Sequence, residues 1–271
     1  MRGEGTAAPT VALADEIACV ERSLDAFAAL IRRSRGDVRV SAEWTVRDVA
    51  AHVATVTDVY LGMFRGEASP LTEIAAVGEL NAAQVAATPE LDLSVLADRI
   101  AASVRAIIGL ARTVDEQGQM CWHAGIMTSP HAVLAAFASE GYVHGHDVAQ
   151  AQRISFPIPN PDARLIARGQ MPLLPVLLDV EATAHARARM LLRLRGTSTD
   201  RWLLTFRDGT LTVGGPDTDR VDCTIHAVPS AFLLSAYGRL SPIRAALTGR
   251  ILAWGRRPQL AFQMSSWLPA P

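Results

Sequence analysis

The chain has 271 residues, of which 49% are hydrophobic and 20% are charged. That composition excludes a disordered chain and is sufficient for two domains of about 100–150 residues each. The formal net charge of −1, from 26 basic against 27 acidic residues, argues against a nucleic-acid partner and against a polybasic membrane-binding surface.

The cysteines and the first residues of the chain bear on its cellular compartment. Cys19, Cys121 and Cys223 lie far apart and include no CxxC pair, so neither a cysteine zinc site nor a disulfide framework is expected. The opening stretch MRGEGTAAPTVALADE has no apolar segment of the kind found in signal peptides. No uninterrupted apolar run approaches the about 20 residues of a membrane span. These features predict a cytoplasmic protein. We expect it to be either a monomer or a homodimer.

The first half of the sequence predicts a bundle of four helices. Thr45 is expected to cap the second helix, with Asp48 three residues later completing a capping box. Segments containing Gly66 to Pro89, and the stretch EQGQMCWHAGIMTSP, are expected to be irregular. The four helices carry apolar residues at helical spacing, and they are predicted at residues 10–34, 46–64, 92–115 and 131–152.

The segment FPIPNPD, with its three prolines, predicts a domain boundary. A helical domain over residues 1–155 and an α+β domain over residues 156–271 are therefore expected. In the second domain, RWLLTFRD-GT-LTVGG predicts a hairpin turning at Asp208-Gly209, and VDCTIHAV predicts a third strand. PSAFLLSAYGRL and SPIRAALTGRI predict short helices packed on an antiparallel sheet.

The fourth helix carries polar residues within its apolar stripe. Glu140 and His144 are four residues apart and share one face with the apolar stripe. Asp147 returns to that face, whereas His146 is about 200° away from His144 around the helix and should point elsewhere. Helical phase therefore predicts that the first three side chains face inward.

The second helix repeats this feature, because His52 lies among the residues that should be buried and Asp48 shares its face. A buried, unpaired carboxylate costs several kcal/mol in practice, so the two anomalies favour one joint explanation. Two histidines and one carboxylate form a known zinc-binding set with one position open. The sequence therefore predicts a metal site at His52, Glu140 and His144. The alternative is a hydrogen-bonded Glu140–His144 pair with His52 as an unrelated core residue.

Two motifs and the C-terminal part resemble known families. The stretches WTVRDVAAH and EGYVHGHDVA resemble the mycothiol-dependent maleylpyruvate isomerase family, whose N-terminal domain is a DinB-like metal-binding four-helix bundle. The segments FRDGTLTV and GRLSPIRAALTGRILAWG resemble a sterol-carrier-protein-2-like domain. The implied fold is a DinB-like bundle followed by an α+β domain with an antiparallel sheet and helices.

The resemblance implies a role for each polar residue of the two motifs. It places the ligands of zinc, or of another divalent metal, at His52, Glu140 and His144. Asp147 would orient a metal-bound histidine, and Asp48 would either do the same for His52 or only cap its helix. His146 stands where the family often has an aromatic residue.

The resemblance also implies a chemistry, in which the thiol of mycothiol binds the metal as a thiolate and attacks a small electrophile. Isomerisation, transfer of the thiol and simple conjugation share that first step. Candidate substrate-binding residues are Arg239 and Arg250, together with Trp122 and Met127 of the loop before the fourth helix. Two alternatives remain: a biosynthetic metalloenzyme that uses no thiol, and a carrier that binds a lipid or small molecule in the C-terminal domain.

Overall fold

The computed structural model describes residues 12–90, 92–215 and 220–269. It divides into two compact units, one running from Leu13 to Ile158 and the other beginning at Pro159. The division therefore falls inside the proline-rich segment FPIPNPD. Among the described residues, every helix is too short or too polar to cross a membrane.

The N-terminal unit is a helical bundle. Helix α1 packs against α4 and α5, and α2 packs against the same two helices. A two-stranded hairpin precedes α5. The elements are α1 (Leu13–Arg32), α2 (Val46–Phe64), α3 (Val77–Ala86), α4 (Leu93–Ala111), β1 (Met120–Cys121), β2 (Met127–Thr128) and α5 (Pro130–Gln152).

The four long helices confirm the predicted bundle, but several details of the prediction were wrong, including the stretch before α5, which was predicted to be irregular and forms the β1–β2 hairpin. The segment after α2 was predicted to be irregular, yet it contains α3, which buries only Val85 and so lacks the apolar stripe that would reveal it. The third predicted helix was extended to residue 115, whereas α4 ends at Ala111. Part of the first predicted helix, which began at residue 10, lies outside the described residues.

Capping fixes where α2 begins. The backbone amide of Thr45 donates to Asp48 Oδ2 over 2.8 Å, and the amide of Asp48 donates to Thr45 Oγ1 over 3.4 Å. These two bonds form the predicted capping box. They set the phase of α2, because the helix starts at the residue after Thr45.

Helix α5 lies unusually close to its neighbours at its two glycines. A Cβ added at Gly141 would come within 2.4 Å of Ser23 Oγ and 2.7 Å of Ser23 O, both on α1. A Cβ added at Gly145 would come within 2.3 Å of the Phe156 ring. The glycines allow this face of α5 to press against α1 and Phe156, which leaves the face of Glu140 and His144 toward α2.

The C-terminal unit contains a five-stranded sheet with the strand order β5-β4-β3-β6-β7. Strands β3 and β6 are parallel, and the other neighbouring pairs are antiparallel. The elements are α6 (Asn160–Gln170), β3 (Arg187–Leu194), β4 (Arg201–Arg207), β5 (Thr210–Gly214), β6 (Cys223–Ala227), α7 (Pro229–Ala236), α8 (Pro242–Leu247), β7 (Ile251–Gly255) and α9 (Leu260–Trp267).

This architecture confirms the predicted fold class of a helical N-terminal part followed by an antiparallel-rich sheet with helices. Asp208 and Gly209 have φ values of 47° and 79° and form the predicted hairpin turn. Strands β3 and β7 and helices α6 and α9 were not predicted. The predicted helix at 241–251 ends at Leu247, and Ile251 instead begins an edge strand.

Candidate metal centre

The centre of the candidate site is a buried histidine on α2. His52 is 3% exposed and lies in line with the buried Val49 and Val56. The Trp44 ring lies against it, with ring centroids 5.0 Å apart. The capped start of α2 thus directs an imidazole into the core of the bundle.

Two residues of α5 meet His52 in the core. The Nε2 atoms of His52 and His144 are 3.2 Å apart. Glu140 Oε2 lies 3.3 Å from His144 Nε2 and 3.8 Å from His52 Nε2. The three side chains therefore present one nitrogen or oxygen each to a common point.

The triangle of donor atoms fits a tetrahedral cation. Ligand atoms held about 2.0–2.1 Å from a tetrahedral zinc ion lie about 3.3 Å from one another. Two edges, of 3.2 and 3.3 Å, match that spacing, and the third edge, of 3.8 Å, is longer. Two imidazole nitrogens and one carboxylate oxygen are also donors that suit zinc and leave its fourth position open.

The electrostatics of the three groups are strongly coupled. Burial alone would raise the pKa of Glu140, but hydrogen bonds and charges from His144 and His52 hold that pKa well below its usual range. Burial alone would lower the pKa of His144, whereas hydrogen bonds to Asp147 and Glu140 and their charges raise it to about 9. A bound divalent cation would replace the proton of His144, because histidine binds metals in its neutral form.

Asp147 and Asp48 occupy different surroundings. Asp147 Oδ2 lies 3.7 Å from His144 Nδ1, the nitrogen on the opposite side of the ring from Nε2. A carboxylate in this position orients a metal-binding imidazole. Asp48 instead bonds Thr45 through the cap, and its Oδ1 accepts from Arg47 over 2.6 Å. The hydrogen bonds of Asp48 therefore serve the start of α2.

His146, which was expected to point away from the site, and the predicted substrate-binding residues of this unit are dispersed. His146 is half-buried on α5 and does not belong to the group of potential metal ligands. Trp122 is buried, and its Nε1 donates to the Tyr60 hydroxyl over 3.3 Å. Met127 is 55% exposed in β2, so it is not a core residue.

Arg239 and Arg250 both belong to the C-terminal unit. Arg239 is exposed, and its Nη1 donates to the carbonyl of Tyr237 over 2.6 Å. Arg250 is half-buried just before β7, and its carbonyl accepts from the amide of Val228 over 2.8 Å. Their part in substrate binding stays a prediction.

His123 is a residue that the sequence reasoning missed. It follows Trp122 in the hairpin, and it lies near enough to the site for the charge of Glu140 to act on it. The available signal was a histidine beside a tryptophan in a loop that directly precedes the ligand-bearing helix. Its partner Ser69 is 54 residues away, a contact that no local pattern predicts.

The chain combines a helical bundle that carries a candidate metal site with a second unit that contains a sheet. Two known families match these two parts. Residues 7–149 match the mycothiol maleylpyruvate isomerase N-terminal domain. Residues 179–256 match the SCP-2 sterol transfer family. The chain therefore belongs to the mycothiol maleylpyruvate isomerase family.

Solved structures support the same fold. A crystal structure of the mycothiol-dependent maleylpyruvate isomerase aligns with a TM-score of 0.55 at 15% identity, covering 90% of this chain and 93% of that one. A histidine-to-alanine mutant of the mycothiol-dependent maleylpyruvate isomerase aligns with a TM-score of 0.56 at 14% identity, with the same coverage. At these identities the likeness shows the fold alone. No curated protein matches the sequence.

Proposed function

We propose that the chain is a metal- and mycothiol-dependent enzyme that acts on a small electrophilic metabolite. The observation that carries this proposal is the triangle formed by His52, Glu140 and His144, whose donor atoms are separated by 3.2, 3.3 and 3.8 Å. Its geometry and donor types suit a divalent cation, with zinc the best match.

The family supplies the thiol, since both the matching family model and the aligned crystal structures are named for mycothiol. A bound divalent cation would contribute by lowering the pKa of the thiol, which is otherwise about 8.5, so that thiolate is abundant at neutral pH. The three side chains would hold the cation, and Asp147 would keep the ring of His144 in its ligating orientation.

The reaction proposed for such a thiolate is reversible addition to an unsaturated carbonyl compound. A sulfur–carbon bond forms while the electron pair of the C=C bond moves to the carbonyl oxygen, giving an enolate. Rotation about the new single bond and expulsion of the thiolate then restore the double bond in the other geometry. No proton, oxidant or co-reactant is consumed, which makes maleylpyruvate a suitable first substrate to test.

Metal content provides the first test of the site. Elemental analysis of the purified wild type should show about one equivalent of a divalent metal, and His52→Ala and Glu140→Ala should have lost it. His185→Ala is a matched control, because His185 is an exposed histidine of the C-terminal unit. Metal that is absent from the wild type, or equal in all variants, would contradict the proposed site.

Thiol binding and turnover test the rest of the proposal. Calorimetry should show that mycothiol binds the metal-loaded wild type and that removal of the metal abolishes this binding. Absorbance should show isomerisation of maleylpyruvate only when both metal and mycothiol are present. Copurified lipid, with binding that His52→Ala does not alter, would instead favour the carrier that the match to the SCP-2 family suggests.

A further inference from the structure

The hairpin before α5 presents one histidine in a fixed position. The amide of Trp122 donates to the carbonyl of Ile126 over 2.7 Å, and the amide of Ala124 donates to the carbonyl of Leu71 over 2.8 Å. Ala124 has a φ of 55°, a conformation that costs a non-glycine residue energy and persists only where surrounding contacts hold it. Backbone hydrogen bonds therefore fix the residues on both sides of His123.

A serine fixes the orientation of the His123 ring. Ser69 Oγ lies 2.8 Å from His123 Nδ1 and also accepts from the amide of Leu71 over 3.1 Å. The Leu71 amide supplies the proton of its bond to Ser69, so the single proton of the Ser69 hydroxyl can be donated to Nδ1. This arrangement favours the tautomer of His123 in which Nε2 carries the hydrogen.

Aromatic packing connects His123 to the ligand-bearing faces of α2 and α5. Its ring meets Tyr60 edge to face, with centroids 5.8 Å apart, and Tyr60 stacks on Phe137 at 4.6 Å. Tyr60 lies eight residues after His52 on α2, and Phe137 lies three residues before Glu140 on α5. His123 therefore packs on an aromatic pair whose α5 member, Phe137, lies about one helical turn from Glu140.

The surroundings keep this imidazole neutral. Burial lowers the pKa of His123 below its usual value, and the negative charge of Glu140 offsets that effect only in part. Within the described parts of the chain, the one hydrogen bond of His123 uses Nδ1. The Nε2 atom makes no such bond with a described residue, and it is not one of the fully buried, unbonded nitrogens. A half-buried ring with one nitrogen fixed and the other open to a ligand is suited to substrate binding.

We propose that His123 is a catalytic residue whose Nε2–H donates a hydrogen bond to the substrate carbonyl oxygen as that oxygen gains negative charge. This inference rests on the proposed function and assigns a residue to the carbonyl oxygen of its unsaturated carbonyl substrate. The hydrogen bond strengthens as sulfur adds to the double bond and weakens again as the thiolate leaves, so the proton stays on Nε2 throughout. A neutral histidine can serve as an electrophile of this kind.

Kinetics of three variants test the role of His123. With mycothiol and maleylpyruvate, His123→Phe should lower kcat by about 10²–10³-fold, the loss that follows removal of one such donor. His123→Gln, whose amide retains an N–H donor, should lose less, and the exposed His185→Phe should leave kcat unchanged. A kcat for His123→Phe within twofold of that of an active wild type would overturn the proposal.

Metal content and mycothiol affinity of the same variants separate this inference from the proposed function. Both should equal the wild-type values in His123→Phe, because His123 is not among the proposed ligands. The metal-loaded wild type could bind mycothiol without converting maleylpyruvate, which would show that this substrate is wrong. In that case the affinity for oxalate, which mimics an enolate, tests the role of His123. Calorimetry should show oxalate binding about 10- to 100-fold more weakly to His123→Phe, and equal affinity or no binding to the wild type would refute the role.

The tautomer provides a readout that does not depend on turnover. Ring ¹⁵N chemical shifts should show Nε2–H for His123 in the wild type, and Ser69→Ala should remove that preference while leaving the metal content unchanged. Protonation of Nδ1 instead, in the metal-loaded wild type, would overturn the assignment of Nε2–H as the donor.

Discussion

Each unit withdraws a carboxylate from solvent, fully at Asp200 and partly at Glu140, whose side chain is 23% exposed, and the two units compensate the charge with different partners. In the C-terminal unit, Asp200 is 1% exposed and pairs with two arginines, accepting from Arg168 Nε over 2.8 Å and lying 3.1 Å from Arg164 Nε. In the N-terminal unit, Glu140 meets two histidines. Arginine stays protonated and cannot ligate a cation, whereas histidine can give up its proton. A carboxylate withdrawn from solvent therefore indicates an ion pair in the C-terminal unit and a candidate metal site in the N-terminal unit.

The largest expected effect comes from breaking the arginine-compensated cluster. Asp200→Asn would leave Arg164 and Arg168 partly buried without their counter-charge, so the free energy of unfolding of the C-terminal unit should fall by about 3 kcal/mol. Chemical denaturation followed by tryptophan fluorescence would measure this. Metal content should remain at the wild-type value, and its loss would contradict the distinction between the two carboxylates.

A smaller effect is expected from the aspartate behind the metal site. Asp147→Asn keeps the side-chain shape but removes the charge 3.7 Å from His144 Nδ1, and metal affinity should fall by about 10–100-fold. Competition with a chelator would measure the change. Asp98→Asn serves as the control, because Asp98 forms an exposed ion pair with Arg32 on α1. Equal affinity in the two variants would show that Asp147 does not orient the ligand.

The smallest expected effect is a pH dependence in the C-terminal unit. Burial would raise the pKa of Asp222, but hydrogen bonds from the Arg189 amide and from Arg256 lower it overall. A depressed folded-state pKa stabilises the protein above the unfolded value of about 3.9, and this stability is lost as the pH falls through the folded value. Asp222→Asn should thus cost about 1 kcal/mol at pH 7, since the exposed Arg256 adds little.

Denaturation of the wild type and of Asp222→Asn at several pH values would check this prediction. The stability difference should be constant above about pH 5 and should shrink below about pH 4. A difference that grew as the pH fell would reverse the sign and contradict the assigned hydrogen bonds.

Where the sequence predicted well, the information was local. The capping box at Thr45 set the phase of α2, and four-residue spacing put Glu140 and His144 on one face of α5. The turn at Asp208-Gly209 predicted its hairpin because both residues tolerate positive φ. Strand β3 was missed because the buried Leu191 interrupts its alternation, and its other outward positions are arginines, whose long side chains also suit a helix.

Where the sequence predicted poorly, the information was not local. Strand β7 continues a segment with helical spacing, and its strand state depends on pairing with β6, 24 or more residues earlier. Helix α3 buries only Val85, so no apolar stripe predicts it. His123 gains significance only through Ser69 and the ring of Tyr60, which come from two other segments.

The sequence by itself determined which polar residues turn inward, because helical phase follows from spacing and from a cap a few residues away. Only the tertiary structure decided that His52 meets the α5 pair at 3.2 and 3.8 Å. That approach depends on α5 packing closely against α1 at Gly141 and Ser23. The arginine partners of Asp200 and the His52 partner of Glu140 are set by packing between segments that are distant along the chain.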